Sequence, residues 1–481
     1  MNDLKKHFSQ YIKYLKTSKS LMAAAIIACL IVITGIYNIM QFQSYFPFRY
    51  TIIVGVISIL LISLAFLLTL KGGQVALIYN IVVAILFSVI SIGAGRIASF
   101  SDHILNNRES ELMQIVVLKK SNITKEDDFS KLKIGYVTSD TYGTKFAKEV
   151  MVDEDKANVK KADYKTYEDL YQALLDKKVD MMPISSYGQS RLKEKSLEYQ
   201  KTTKVLFEKQ RNLESVASGN KDLTKDPFVM FVSGVDLTSG DITSTGSSDV
   251  NILMSVNPRT KKVMMQSIPR DLWSEIPCNG NRHTKLTYAG ATGGVNCSIL
   301  AIQNYFDVKI DYFAKINFDG VRNLVDAMGG ISVYSDASYC ESGVCFVEGQ
   351  NEVDGENALM FSRIRHVLAK GDVARGIHQM EVIRGVINKF LENPSMDYLN
   401  SLMGVVESNF TTNLERNDLM EALQLLLSMQ EAISNMDSYS IDGAFKWNND
   451  EISGEYLYYY YPNKGETQAV HDRITNILKG K

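Results

Sequence analysis

The sequence predicts an α/β protein on a membrane anchor: three N-terminal transmembrane helices, a small extracellular α/β lobe, and a C-terminal α/β domain. The last is expected to have a central, mainly antiparallel sheet flanked by helices. Three observations carry this reading. Three long uncharged runs lie within the first hundred residues. Short apolar runs then alternate with helical patterns over 109–207. Beyond residue 227, three strand-like stretches follow one another across turn-forming connections.

Leu21 to Phe48, Tyr50 to Leu70 and Gly72 to Gly95 hold no charged residue and are bracketed by Arg49, Lys71 and Arg96. Each supplies the roughly 20 apolar residues needed to cross a hydrocarbon core. A cleaved signal peptide is the alternative for the first run. Two further runs follow it and no A-x-A site is seen, so the anchor is expected to be retained. The tail 1–20 carries Lys5, Lys6, Lys13, Lys16 and Lys19 against Asp3. The positive-inside rule therefore places the N-terminus in the cytoplasm, and three crossings over 21–96 leave everything after Arg96 outside the cell.

Residues 1–100 hold eight Lys or Arg and one acid, leaving 44 basic and 53 acidic residues beyond, a net charge of about −9. Such an acidic outer part is a poor match to DNA. Cys29 falls in the first apolar run, whereas Cys278, Cys297, Cys340 and Cys345 fall in the outer part, where two disulfides are permitted. Short loops favour Cys278 with Cys297 and Cys340 with Cys345. Zinc is the alternative, weakened by the lack of C-x-x-C pairs.

In the lobe, Lys133 to Ala147 reads as strand, turn and helix, and Tyr164 to Ile184 as a helix leading into a buried strand. The whole resembles the small α/β lobes of solute-binding proteins. No ligand follows from it, and a spacer or docking role is the expectation. The polar stretch 208–226 reads as a linker, and 227–481 as the C-terminal domain.

In that domain Phe228 to Asp236, Asp249 to Asn257 and Lys262 to Asp271 read as three strands. A Gly/Ser/Thr loop and a turn around Pro258 join them. In an antiparallel meander, Asp236, Asp249, Arg270 and Asp271 share one edge. Carboxylates so close repel unless a proton or cation lies between them, and oxygen ligands without His or thiolate suit Mg²⁺ or Mn²⁺. Solvated strand ends are the blander alternative.

The stretch Phe361 to Gln379 is rich in donors. Asp354 caps a predicted helix that delivers Arg363 and Arg365, and Asp372 caps another running to about Leu391. On the second, Arg375 and Gln379 are four residues apart, near an N-terminus that favours anions. Arginine forks match phosphate oxygens. A carboxylate–arginine network without substrate is equally compatible with these residues.

Taken together, S-G-V-D (233–236), S-D-V-N-I-L (248–253), S-I-P-R-D (267–271), K-L-T-Y-A (285–289), D-Y-F-A-K-I-N-F (311–318), L-V-D-A-M-G-G-I-S-V (324–333), F-S-R-I-R and G-D-V-A-R-G-I-H-Q resemble the LytR-CpsA-Psr family. The three-span anchor with an accessory lobe resembles its capsule-locus, CpsA-type members. The resemblance implies phosphotransfer outside the cell. A glycopolymer, here a capsular polysaccharide, moves from undecaprenyl pyrophosphate to a peptidoglycan sugar hydroxyl, with other capsule-assembly proteins as further partners. By position, Asp236 and Asp249 correspond to Mg²⁺ ligands, and Arg270, Arg363, Arg365, Arg375 and Gln379 to pyrophosphate binders. Lys285 is a further substrate-binding candidate. Asp271 and Asp372 join the catalytic set, with Asp271 or Asp249 as base. An apolar slot for the lipid would draw on Phe313, Ile316, Leu324, Met328 and Phe361.

Two departures stand out. The family's R-S-D reads Ser247-Ser248-Asp249, and a frequent arginine is replaced by His378. Losing an arginine would remove a charge-assisted contact of roughly 1.5 to 3 kcal/mol unless Lys285 or Arg282 compensates. Two rivals remain open in the sequence: a regulatory or scaffolding protein of capsule assembly, and a hydrolase that cleaves polyprenyl pyrophosphate with water. The tyrosine run Tyr456 to Pro462 is read as a strand with one exposed face.

Overall fold

The computed structural model describes residues 18–45, 48–71, 74–106, 108–217, 219–237, 241–364, 371–392 and 396–481. The chain divides into two compact units, 1–103 and 104–481. The lysines Lys5 to Lys16 of the basic tail lie outside the described residues.

In the first unit, helices Lys19–Tyr45, Phe48–Lys71 and Gln74–Asn106 are each long and apolar enough to cross a membrane. Ile31, Ala65, Val83 and Phe87 form their shared core. Polar side chains link the helices. Asn80 Nδ2 donates to the Ala24 carbonyl at 2.8 Å and to Thr69 Oγ1 at 2.9 Å, and Asn38 Nδ2 donates to the Phe87 carbonyl at 3.1 Å. In hydrocarbon such groups have no water to bond, so they are satisfied between helices.

The second unit opens with the lobe. Ser110–Leu118 is the centre of an antiparallel sheet between Met182–Ile184 and Thr203–Asn212. Lys133–Val137 pairs in parallel with Lys160–Tyr164. Helices Thr141–Asp153, Tyr167–Leu175 and Ser186–Glu194 each begin at a side-chain cap: Asp140, Thr166 and Ser185. The segment 208–226 is no free linker, because its first residues continue the strand to Asn212. Leu223 is then fully buried, and Lys221 Nζ lies 2.9 Å from Asp311 Oδ2.

Three strands, Phe228–Asp236, Ser247–Asn257 and Lys262–Ser267, form the expected antiparallel meander. They sit inside a six-stranded sheet. Tyr312–Asn317 pairs in parallel with the first, Asp437–Tyr439 in parallel with the third, and Phe410–Thr412 closes one edge antiparallel. Alternation along the strands divides the core between two faces. Val229, Phe231, Leu253 and Met264 pack beneath helices Thr287–Phe306 and Glu466–Lys479. Phe228, Ile252 and Met265 pack on the other face with Met380 of helix Asp372–Glu392 and with Met429.

Both cysteine pairs that short loops favour are bonded, Cys278 to Cys297 and Cys340 to Cys345. The strand Tyr456–Pro462 pairs with Gly443–Asn449. Trp447 and Tyr456 are exposed on that hairpin, and Tyr459 and Tyr460 are buried.

Candidate functional site: a carboxylate and arginine pocket

The meander brings Asp236, Asp249, Arg270 and Asp271 to one cavity of about 270 Å³, which Ser247, Lys285, Thr287 and Tyr288 also line. Local packing sets this up. Helix Thr287–Phe306 begins against the second strand because Gly290 has no Cβ; one there would meet the Gly246 carbonyl at 2.6 Å. The backbone of Arg270 to Leu272 is held on two sides. Thr287 N donates to the Arg270 carbonyl at 2.9 Å, and Tyr460 N to the Asp271 carbonyl at 2.8 Å.

Asp249 Oδ1 receives Arg270 Nη1 at 2.8 Å and Thr287 Oγ1 at 3.2 Å. Burial alone would raise the Asp249 carboxyl, but the charges of Arg270 and Arg375, with these hydrogen bonds, hold it below its ordinary value. For Arg270, burial works against the charge, and Asp249 and Asp271 outweigh it and raise the guanidinium. Lys285 Nζ lies 3.0 Å from Asp271 Oδ1.

Helix Asp372–Glu392 enters from the other sheet face. Gly376 lets it approach the end of the third strand, where a Cβ would collide with Ser267 Oγ. Its first turn carries the buried ion pair of Asp372 and Arg375. Burial lowers Arg375 from its ordinary value, and the nearby Arg270 charge adds to this against the pull of Asp372 and Asp249. A buried guanidinium, Arg375, and a partly buried one, Arg270, that repel each other are a setting that an anion relieves. Arg270 Nε is buried and has no hydrogen-bond partner among the described residues, so a donor is left for such an anion.

The remaining candidates are placed differently. Arg363 is exposed, with its guanidinium 4.7 Å from the Phe318 ring centroid, and Arg365 lies outside the described residues. Gln379 is buried and donates from Nε2 to the Ser362 carbonyl at 3.3 Å, tying helix Asp372–Glu392 to helix Gly355–Arg363. His378 stacks on Phe361, ring centroids 4.1 Å apart, so it fills core beside the site. Arg282 faces the lobe, bonded to Asn279 and the Ser139 carbonyl, and does not line the cavity. The proposed slot residues do not share one wall: Phe313 lies in the core beneath helix Thr287–Phe306, whereas Leu324, Met328 and Phe361 lie in a separate cluster.

Sequence reasoning missed Ser190, Lys193 and Glu194, which line the cavity from lobe helix Ser186–Glu194. No local signal marks them, since R-L-K-E-K (191–195) reads as an ordinary solvated helix end.

No group of three or more His, Cys, Asp or Glu among the described residues is placed to hold a metal ion together. Two carboxylates on one small cavity do suit Mg²⁺, which keeps several waters and takes one or two carboxylates plus phosphate oxygens.

Fold and site thus define an α/β domain with a carboxylate and arginine pocket, carried on a chain with three membrane-compatible helices. The LytR_cpsA_psr family model matches residues 184–476, and the chain belongs to that family. The chain is 34% identical over 254 residues to the polyisoprenyl-teichoic acid–peptidoglycan teichoic acid transferase TagU of Bacillus licheniformis, covering 53% of this chain and 78% of that one. It is 33% identical to TagU of Enterococcus faecalis, covering 53% and 82%. The crystal structure of Bacillus subtilis TagU aligns at 29% identity and a TM-score of 0.43, over 53% of this chain and 97% of that one.

Proposed function

We propose that this chain is a membrane-anchored phosphotransferase that moves a glycopolymer from a polyprenyl pyrophosphate to a sugar hydroxyl of peptidoglycan, with its second unit outside the cell. The observation that carries the reading is the pairing of Arg270 and Asp249 on a cavity that also holds Asp236, Asp271 and Lys285. The named activity of the TagU relatives supports the same class of reaction. The three-span anchor and the lobe favour a capsular polysaccharide as the glycan, over the teichoic acid of those relatives.

In this reading the pyrophosphate lies against Arg270, with Arg375 behind it and Lys285 beside it. Arg363 extends the basic surface from the end of helix Gly355–Arg363, and Arg365 is the further pyrophosphate-binding candidate that the family resemblance implies. The sugar hydroxyl oxygen attacks the phosphorus that carries the glycan. A new P–O bond forms, the bond to the bridging oxygen breaks, and undecaprenyl phosphate departs with the electron pair. The hydroxyl proton passes to a carboxylate. Asp249, held ionised by Arg270, is a weak base, which leaves Asp271 as acceptor. Lys285, 3.0 Å from Asp271, orients that carboxylate. Asp372 fixes the Arg375 guanidinium.

Asp236 and Asp249 are the residues that would hold Mg²⁺. The ion would offset charge gathering on the pyrophosphate oxygens. The reading is tested with the detergent-solubilised chain and lipid-linked capsular or teichoic glycans, following release of polyprenyl phosphate. Release from the capsular substrate, lost in Arg270→Gln, is expected. No release from either lipid overturns the reading, and release from the teichoic lipid alone overturns the capsular assignment.

A further inference from the structure

The pocket has a wall that the C-terminal domain does not supply. Ser190, Lys193 and Glu194 stand three and four residues apart on lobe helix Ser186–Glu194, so one face of that helix looks into the cavity. Lys193 Nζ lies 2.7 Å from Asp236 Oδ2, at the edge where Asp236 and Ser247 are paired in register. The other lining cations are engaged elsewhere: Arg270 with Asp249, and Lys285 with Asp271. Among the described lining residues, Lys193 is therefore the cation of the Asp236 edge.

The helix is fixed in place. Arg191, buried within it, reaches Glu455 Oε2 at 2.6 Å, Glu168 Oε1 at 3.2 Å and the Tyr288 hydroxyl at 2.9 Å. Thr245 Oγ1 donates to Ser186 Oγ at 2.7 Å, and the Tyr187 ring meets Tyr288 edge-on at 5.4 Å. Tyr187 and Leu192 belong to a core that Tyr288, Ala291 and Ile452 of the C-terminal domain complete. Lys193 is thus presented by a packed element, which lowers the entropy lost when it binds.

We propose that Lys193 is a phosphate-binding residue of the transfer site, so that the lobe completes the substrate pocket rather than acting only as a spacer. The proposal rests on the pyrophosphate reading above. Glu194, Asp236, Asp249 and Asp271 already give the cavity four carboxylates. A phosphate approaching the Asp236 edge meets repulsion unless an ammonium is there. Lys193 carries three donors, of which Asp236 takes one, and the others suit phosphate oxygens.

The test measures binding of geranylgeranyl pyrophosphate, and of the uncharged alcohol geranylgeraniol, to the detergent-solubilised full chain by calorimetry. Lys193→Gln removes the charge while keeping a polar N–H donor on a side chain one atom shorter, and the half-exposed position tolerates it. Lys193→Ala and Lys193→Gln are expected to weaken the pyrophosphate roughly tenfold or more, with Lys193→Arg within about threefold of wild type. Alcohol affinity is expected to stay unchanged in all three. Wild-type pyrophosphate affinity in Lys193→Gln, with loss in Arg270→Gln, overturns this inference and leaves the pocket reading standing. Equal losses for pyrophosphate and alcohol also overturn it, marking a structural role. A wild-type chain that does not prefer the pyrophosphate to the alcohol sinks both readings.

Discussion

Lys315 Nζ lies 2.6 Å from Glu109 Oε1, and both side chains are buried. Glu109 begins the lobe and Lys315 belongs to the central-sheet strand Tyr312–Asn317, so a charge pair fastens one to the other. Glu109 Oε2 accepts from Val295 N at 2.7 Å, and Lys315 also donates to the Ser244 carbonyl at 2.7 Å. Burial raises the Glu109 carboxyl, with Lys315 opposing. Lys315→Met leaves that carboxylate uncompensated and is expected to lower stability by about 3 kcal/mol. Adding Glu109→Gln to Lys315→Met should recover most of the loss, read by denaturant unfolding in detergent. Additive losses in the double variant would contradict the pairing.

The acid side of the stability curve should carry the signature of Asp249. Its folded pKa lies below its ordinary 3.8, so ionised Asp249 contributes stability that is present above 3.8 and lost as pH falls through the folded value. Asp249→Asn should remove that part of the slope. Unfolding midpoints of wild type and variant between pH 2.5 and 5 (a range of roughly one unit either side of the ordinary value) check this. Identical slopes would mean that Arg270 does not hold the carboxylate.

The two disulfides should differ in weight. Cys278 and Cys297 are 19 residues apart, Cys340 and Cys345 only 5. Opening the longer loop is expected to cost about 3 kcal/mol and the shorter one less. Cys278→Ser/Cys297→Ser and Cys340→Ser/Cys345→Ser, compared by thermal unfolding, give the order. A larger loss from the second pair would contradict it.

Much of this was legible in the sequence because it is local. Alternation wrote the meander into Phe228–Asp236 and its two followers, and strand ends put Asp236, Asp249 and Arg270 on one edge. The helix cap at Asp354 was equally short-range. What was hidden depends on distant packing. Lys193 reaches the cavity on a helix that Arg191, two residues before it, ties to Glu455, 264 residues on. Spacing put Gln379 on the face of Arg375 and the resemblance made it a pyrophosphate binder, whereas the bond from its side-chain amide to the Ser362 carbonyl depends on the fold. His378 read as an odd substituent, and its ring is stacking material against Phe361 and Tyr339.

Divalent metal should be required for turnover if Asp236 and Asp249 hold it. Chelation with EDTA is expected to stop polyprenyl phosphate release, and Mg²⁺ or Mn²⁺ to restore it. Asp236→Asn should raise the Mg²⁺ concentration for half-maximal rate by roughly tenfold or more. Full activity in EDTA would remove the metal from the account.

The central claim is that the pocket joins two sugars through phosphate. The full chain in detergent, given a polyprenyl-pyrophosphate-linked capsular glycan, Mg²⁺ and peptidoglycan fragments, should yield a product whose mass and phosphorus spectrum show a sugar-phosphate-sugar diester. Asp249→Asn and Arg270→Gln should not form it. Free phosphorylated glycan with no diester would make the chain a hydrolase, and no turnover by wild type would make it a regulator; either result contradicts the account.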